Sequence, residues 1–319
     1  MSLYPHCTYC HSPNYQILYD TQDMYGHAFN LLGCADCEAI YLSPQPTEAQ
    51  LAQAYDEDYY GQEEEKFDGW IERVLNVFRA RRAAIVKKYV KEPANVLDIG
   101  CGNGLFLSNV ARQGNYNIHG IEMPGKAANR AARIPNIHLQ QKTLSQGDFP
   151  KDYFGAITLF HVFEHLLNPK EVLDIIQEIL HRQGILIIAI PNIDSFQSQL
   201  FKGKWLHLDP PRHTIFFKPS TFKKLMQDRG FQLLEENYYN MEYNPFGFQQ
   251  SLLNKLFNKR ELLYESLKGN KSYTANYSRL NLGVQKAFFV STFPLFAALD
   301  IPVAALKKSA TVTFVFRKN

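Results

Sequence analysis

The chain predicts an α/β fold: a largely parallel sheet with helices on both faces, preceded by a small metal-binding module. Three observations carry this. Strand-like and helix-like patterns alternate from Asn95 to Ala189, the signature of parallel strands joined by crossover helices. The apolar strand Val96-Leu97-Asp98-Ile99 runs into the turn Gly100-Cys101-Gly102-Asn103-Gly104, and a helix pattern opens at Leu105; ligands of open α/β sheets bind at such strand ends. Near the N-terminus, Cys7 and Cys10 form one Cys-x-x-Cys pair, and Cys34 and Cys37 form another, with a gap of twenty-three residues. That spacing is a zinc signal.

With 319 residues, 45% hydrophobic and 20% charged, the chain can bury a full core, which excludes disorder as its default state. The net charge of +3 hides an asymmetry: from Pro245 onward eleven Lys/Arg stand against three Asp/Glu. Two residues between thiolates let both sulfurs of a pair face one tetrahedral ion, so the four cysteines fill a closed shell without His6 or His11. The expected Zn2+ is therefore structural. Cys101 reads as a small turn residue. Met1-Ser2-Leu3-Tyr4-Pro5 carries no signal-peptide pattern, so a cytoplasmic location with reduced thiols is expected. Met1 to Leu42 contains no Lys or Arg, which argues against a phosphate-binding surface there, and no nucleic-acid partner is expected.

The elements follow in order. Residues 1–43 make the zinc ribbon, with sheet-like stretches at Gln16 to Tyr19 and Ala39 to Leu42. Ser43-Pro44-Gln45-Pro46-Thr47 is a linker, and Glu48 to Tyr60 gives a short helix. Glu63, Glu64 and Glu65 suit the first turn of a long helix. Along that helix Trp70, Val74, Val77, Phe78, Ile85 and Tyr89 recur near helical spacing as a core stripe, so residues 44–92 are linker and N-terminal helices. The main domain takes residues 93–244 plus 309–319. Its strands are Asn95 to Ile99, Asn117 to Glu122, Ile137 to Gln140, Tyr153 to Phe160, Gly184 to Ala189, Phe231 to Tyr239 and Thr311 to Phe316. Its helices are Leu105 to Arg112, Gly125 to Arg133, Lys170 to Leu180 and Phe222 to Asp228. Between the last two strands lies a helical insertion, 245–308, with an apolar run from Ala287 to Leu306. Pro294, Asp300 and Pro302 interrupt that run, so a broken helical hairpin is expected rather than a membrane span. A lid, a dimer face of a homodimer and a membrane-surface contact that would make the chain peripheral all suit it.

The turn after the first main-domain strand departs from two common patterns. Its third glycine, Gly104, falls one residue early for a dinucleotide fingerprint, and no Gly-Lys-Ser/Thr follows for a phosphate loop. Asp98 at the strand tip would repel a pyrophosphate but attract a sulfonium or ammonium group. Glu122 ends the next strand eighteen residues beyond Gly104 and can accept from two ribose hydroxyls, with Met123 beside an adenine. These features favour S-adenosylmethionine.

On these residues the chain resembles the class I S-adenosylmethionine-dependent methyltransferases. Further support comes from Phe154-Gly155-Ala156-Ile157-Thr158-Leu159-Phe160-His161-Val162-Phe163-Glu164-His165-Leu166, similar to that family's fourth strand and following loop, with Gly155 where an Asp is usual. Pro211-Arg212-His213-Thr214-Ile215-Phe216-Phe217, Pro219-Ser220-Thr221-Phe222 and Gly230-Phe231 resemble the segment closing the acceptor side. The resemblance implies a Rossmann-like methyltransferase sheet with Asp98, Gly100, Cys101, Gly102, Gly104, Glu122, Met123, Thr143, Leu144 and Phe160 around the cofactor. A hydroxyl acceptor must lose a proton, and His161, His213 and His165, in that order, are the candidate bases. The loop also resembles that of the ubiquinone-pathway O-methyltransferases, with His161 in place of the first residue of Glu-x-x-Glu-His; no catalytic metal is expected. The implied acceptor is a small molecule, sugar or lipid-linked glycan. A rival reading makes the ribbon a protein-recognition module on a scaffold that modifies a macromolecule.

Overall fold

The computed structural model describes residues 6–55, 69–257 and 259–319. The helix start expected at Glu63 to Glu65, with Tyr59 and Tyr60, lies outside the described residues, as do the side chains of Trp70 and Val74.

The N-terminal part folds as β1 (Tyr15–Gln22), β2 (Ala28–Cys34) and β3 (Ile40–Ser43), an antiparallel meander. β2 went unread in the sequence because alternation holds only over Ala28 to Asn30, and Leu31 to Cys34 are continuously buried. α1 (Glu48–Ala54) starts from a Thr47–Gln50 capping box and stops at Ala54, short of the expected Tyr60. α2 (Gly69–Tyr89) follows. Its buried stripe is Ala83, Val86 and then Val90, with Ile85 and Tyr89 alongside, whereas Val77 is exposed.

The main domain alternates as its pattern predicts: β4 (Ala94–Ile99), α3 (Leu105–Gln113), β5 (Tyr116–Glu122), α4 (Lys126–Ala131), β6 (His138–Gln141), β7 (Phe154–Phe160), α5 (Pro169–Ile179) and β8 (Leu180–Pro191). There follow α6 (Phe196–Phe201), the short β9 (Ile215–Phe216), α7 (Pro219–Asp228) and β10 (Phe231–Asn237). The insertion folds as α8 (Asn244–Leu256), α9 (Leu262–Leu267), α10 (Lys271–Thr274) and α11 (Arg279–Ala305), before the closing β11 (Thr311–Lys318). The seven-stranded sheet has the order β10-β11-β8-β7-β4-β5-β6. β4 to β8 are parallel, and β11 runs antiparallel to both its neighbours. The chain steps outward in both directions from β4, so the turn after β4 lies at the topological switch point, where such sheets bind ligands.

The strands are apolar on both faces because both are covered. Leu97, Ile157, Leu186 and Phe314 face a core shared with α5 and α7, while Val96, Ala156, Ile187 and Val315 pack with Leu107, Val110 and Val86. Gly155, where the resembling family carries Asp, sits so close to the start of β4 that an added Cβ would lie 2.9 Å from the Ala94 Cβ.

β9 pairs with β3, making the ribbon sheet four-stranded in the order β1-β2-β3-β9. Cys7, Leu32, Cys34, Ala39 and Tyr41 belong to the same buried cluster as Phe217, Phe222 and Phe314. The ribbon thus shares its core with the main domain.

α11 is one continuous helix through Pro294 and Pro302, not the expected broken hairpin. Both prolines lie on its exposed side, so the missing N–H groups cost no buried bond, and contacts to α8 hold the helix to the domain. Gln249 Nε2 donates to Phe289 O (2.9 Å) and Thr292 Oγ1 (2.7 Å). Fully buried Asn244 donates to Tyr238 O and Asp300 Oδ2 and accepts from Thr311 N and Oγ1. It joins β10, α11 and β11. Asn244→Ala should therefore cost about 3 kcal/mol or more, because it strands the buried Asp300 carboxyl; a denaturant titration showing a loss below 1 kcal/mol would contradict this role.

Candidate active site

The glycine turn wraps the C-terminal end of β4. Gly100 has φ +71°, and a Cβ there would meet Val162 Cγ2 at 2.4 Å, so only glycine fits. Gly100 N and Cys101 N both donate to Ile121 O (2.8 and 3.0 Å), stapling the turn to β5. Gly104, at φ +74°, precedes α3, and Asn103 Oδ1 accepts from Leu105 N in its first turn (3.3 Å). Glu122 at the end of β5 accepts from Gly102 N (2.7 Å) and from its neighbour Met123 N (3.1 Å). Its carboxylate therefore borders the loop.

Asp98, at the end of β4 as its place in the sequence predicts, is buried and accepts from Thr158 Oγ1 (2.6 Å). Burial pushes its carboxyl up to about 7; Glu122's charge adds to the rise, while the Thr158 bond and Arg82 oppose it. Cys101 is buried and its thiol is pushed up by burial, which suits packing and not nucleophilic chemistry. Met123 is half-exposed at the rim, Thr143 is exposed, and Leu144 is half-buried against the core. Phe160 is half-buried, edge-on to Phe106 at 5.0 Å.

Three residues that sequence reasoning missed close this edge. Arg82 on α2 places its guanidinium 5.3 Å from the Phe160 ring and 5.7 Å from that of Tyr243, and pairs with Glu242. The Tyr243 ring lies 4.2 Å from that of His161. Thr158 has its hydroxyl on Asp98. No motif spacing links Arg82 to the turn; only the fold brings it there.

The three predicted histidines converge on Glu164, which is almost fully buried. His161, at φ +56° directly after β7, places Nδ1 3.3 Å from Glu164 Oε1, while its buried Nε2 has no hydrogen-bond partner among the described residues. His213 directs Nε2 to within 4.0 Å of the same oxygen and 3.7 Å of Asp209 Oδ2, and its Nδ1 donates to His207 O (2.8 Å). His165 Nδ1 lies 3.0 Å from Arg212 O and 2.9 Å from Tyr55 Oη. Ligand atoms of Glu164, His165 and His213 lie within 4.8 Å of one another, so His213 rather than His161 completes the group able to hold a cation. His207, unforeseen, packs its ring 5.5 Å from that of Trp205. Burial drives these imidazoles toward neutrality: His161 and His207 fall to about 3 and His165 to about 4, and His213 is lowered too. Burial raises Glu164.

The ribbon reaches this cluster through backbone. Thr214 N donates to Glu164 O (2.8 Å), and Leu42 N donates to Thr214 O (3.0 Å). The sulfurs of Cys7, Cys10, Cys34 and Cys37 lie within 4.8 Å of one another, with Cys7–Cys37 and Cys10–Cys34 both at 3.5 Å. A tetrahedral zinc with Zn–S near 2.3 Å needs sulfurs about 3.8 Å apart, so the four residues fit that ion. A Cys34→Ser variant, or chelation, is expected to lower Tm and to abolish turnover while S-adenosylmethionine binding at the glycine turn persists; unchanged Tm on loss of the metal would refute a structural ion.

Comparison with known proteins follows this geometry. The methyltransferase domain family profile matches residues 67–236. The ubiquinone biosynthesis O-methyltransferase of Glaesserella parasuis is 30% identical over 166 residues, covering 47% of this chain and 69% of that protein. The Vibrio cholerae protein of the same name is 26% identical over 178 residues, covering 50% of this chain and 71% of its own length. Among solved structures, the cyclase SpnF superposes with TM-score 0.51 at 16% identity, over 86% of this chain and 96% of its own; this likeness concerns the fold alone. With the profile spanning more than half of its length and the glycine turn and Glu122 at the switch point, the chain belongs to the methyltransferase domain family and is an S-adenosylmethionine-dependent methyltransferase.

Proposed function

We propose that this enzyme methylates a hydroxyl of a small-molecule acceptor, with sugars and lipid-linked glycans in the class, and that His161 removes the proton. The observation that carries the reading is the Nε2 of His161, buried and without a hydrogen-bond partner among the described residues, on the loop directly after β7 and next to the strand that bears Asp98. The names of the O-methyltransferase relatives support oxygen as the atom methylated. Bound S-adenosylmethionine supplies an electrophilic methyl on a sulfonium. Glu122 would accept from the ribose hydroxyls, Met123 and the Thr143-Leu144 turn would border the adenine, and the backbone at Gly100 to Gly104 would admit the methionine part. Asp98 and Arg82 would complement its ammonium and carboxylate. Phe160, held under the Arg82 guanidinium, would cover the reacting end and exclude water.

The displacement is in line, so placement of the acceptor carries much of the rate. As the new C–O bond forms and the S–C bond breaks, the acceptor proton passes to His161 Nε2. Nδ1–H directed at Glu164 fixes the tautomer that leaves Nε2 as the lone pair. A base held neutral by burial is ready across the physiological range. The zinc ion takes no part in the chemistry, and the ribbon positions the His213 loop.

His161→Gln should lower kcat about 10²- to 10⁴-fold with S-adenosylmethionine affinity nearly unchanged. With S-adenosylmethionine saturating at every pH, kcat should show no histidine limb near pH 6.5, since His161 stays neutral down to about 3; a kcat profile with a full histidine limb at its ordinary position, or an active His161→Gln enzyme, would overturn the assignment.

Asp98 gives a second test. Its carboxyl is raised to about 7, and a cationic ligand binds the ionised form. Affinity should therefore rise roughly tenfold per pH unit below about 7 and level off above it, with protons released on binding at pH 6. Isothermal titration in buffers of different ionisation enthalpy reads both effects; a pH-independent Kd would remove Asp98 from the ligand's contacts.

A further inference from the structure

We propose that α11, with α6 beside its C-terminal end, rests on an anionic bilayer surface, its outward face set into the boundary between headgroups and acyl chains. The inference goes beyond the reaction and does not depend on which acceptor is methylated.

The apolar character of α11 is on the wrong side for a soluble protein. Only Gln285, Ala297 and Asp300 of this helix are buried, two of them polar. Leu280, Val284, Val290, Leu295, Leu299 and Leu306 are each more than half exposed, along a helix about 40 Å long at 1.5 Å per residue. Its best eighteen-residue window has mean hydropathy 1.7 and is 6% buried. A helix hydrophobic all round lies inside a protein or in contact with lipid. The apolar surface continues on α6, where Phe196 and Leu200 are exposed and Phe196 N donates to Lys308 O just past the end of α11 (2.9 Å).

The helix lies on the surface and does not cross. Its inner face is tied to the domain by buried polar bonds: Asp300 to Asn244 and Ser309 (2.9 and 2.7 Å), and Gln249 to Thr292 and Phe289 O. Crossing would carry these groups into hydrocarbon without partners, and β11, which begins six residues later, is locked between β8 and β10.

Charge selects the occupant. The three carboxylates of residues 245–308, Glu261, Glu265 and Asp300, are all buried. The exposed charges there are cationic, among them Lys255, Arg279 and Lys286, and Lys202 and Lys204 add two more beyond α6. An apolar face rimmed by cations matches an anionic surface. A second copy docked symmetrically would set cation against cation around the same rim.

The test uses the full zinc-loaded chain with vesicles of phosphatidylcholine alone or mixed with phosphatidylglycerol. Flotation with the anionic vesicles is expected, weakened by salt and by omitting the anionic lipid. The double variant Leu295→Glu/Leu299→Glu should bind at least about tenfold more weakly while keeping Tm and S-adenosylmethionine affinity, which shows that it is folded. Val290→Trp should report insertion by a blue shift of its emission with anionic vesicles only. A wild-type chain that floats with neither vesicle overturns the proposal. So does a concentration-dependent dimer that the double variant abolishes, since a second copy then covers the stripe.

Discussion

The geometry of the candidate site depends on one short backbone relay. Thr214 donates to the carbonyl of Glu164 and accepts from the amide of Leu42, and its hydroxyl reaches Leu166 O (3.1 Å). Through these bonds the turn after β7, the loop carrying His213 and the last strand of the ribbon become one rigid body. Backbone hydrogen bonds in a buried setting tolerate little displacement, because each broken one leaves an orphaned polar group. The ribbon therefore braces the loops that carry Glu164 and His213.

Around that relay the titratable side chains are buried or half-buried. Burial holds four imidazoles neutral and lifts Asp98 and Glu164, while the charges that remain are paired in a neighbouring network. Arg212 donates to both oxygens of Asp209 and to Ala54 O. Buried Arg260 donates to Gln22 O and Gly203 O (both 2.7 Å), and Lys268 pairs with Glu265 at 2.9 Å. Ion pairs this deep add little net stability but fix one arrangement, since removing a single partner leaves an uncompensated charge. Low dielectric also strengthens any interaction with charge that moves during methyl transfer.

The cofactor half of the site was legible because its constraints are local. Gly100 must be glycine where Val162 presses on it, and Glu122 must end the strand next to the turn; both facts leave marks in spacing. The acceptor half was legible in residue types but not in pairing. His161 and His165 flank Glu164 on the chain, yet only the fold shows that His213 joins Glu164 and His165 while His161 keeps a free nitrogen. Arg82 and Tyr243 could not be read at all, because distant helices deliver them. The insertion misled in one way: its prolines suggested a break, but they sit where the lost hydrogen bonds face outward.

The pairing of Ile40 with Phe216 and of Tyr41 with Ile215 has a consequence for biogenesis. The cysteine knuckles and β3 leave the ribosome long before β9 exists, so metal capture can organise the ribbon early while the edge of β3 stays unpaired. An open edge with buried-type side chains such as Tyr41 invites association with other chains. A product truncated before β9 would carry the exposed edge permanently.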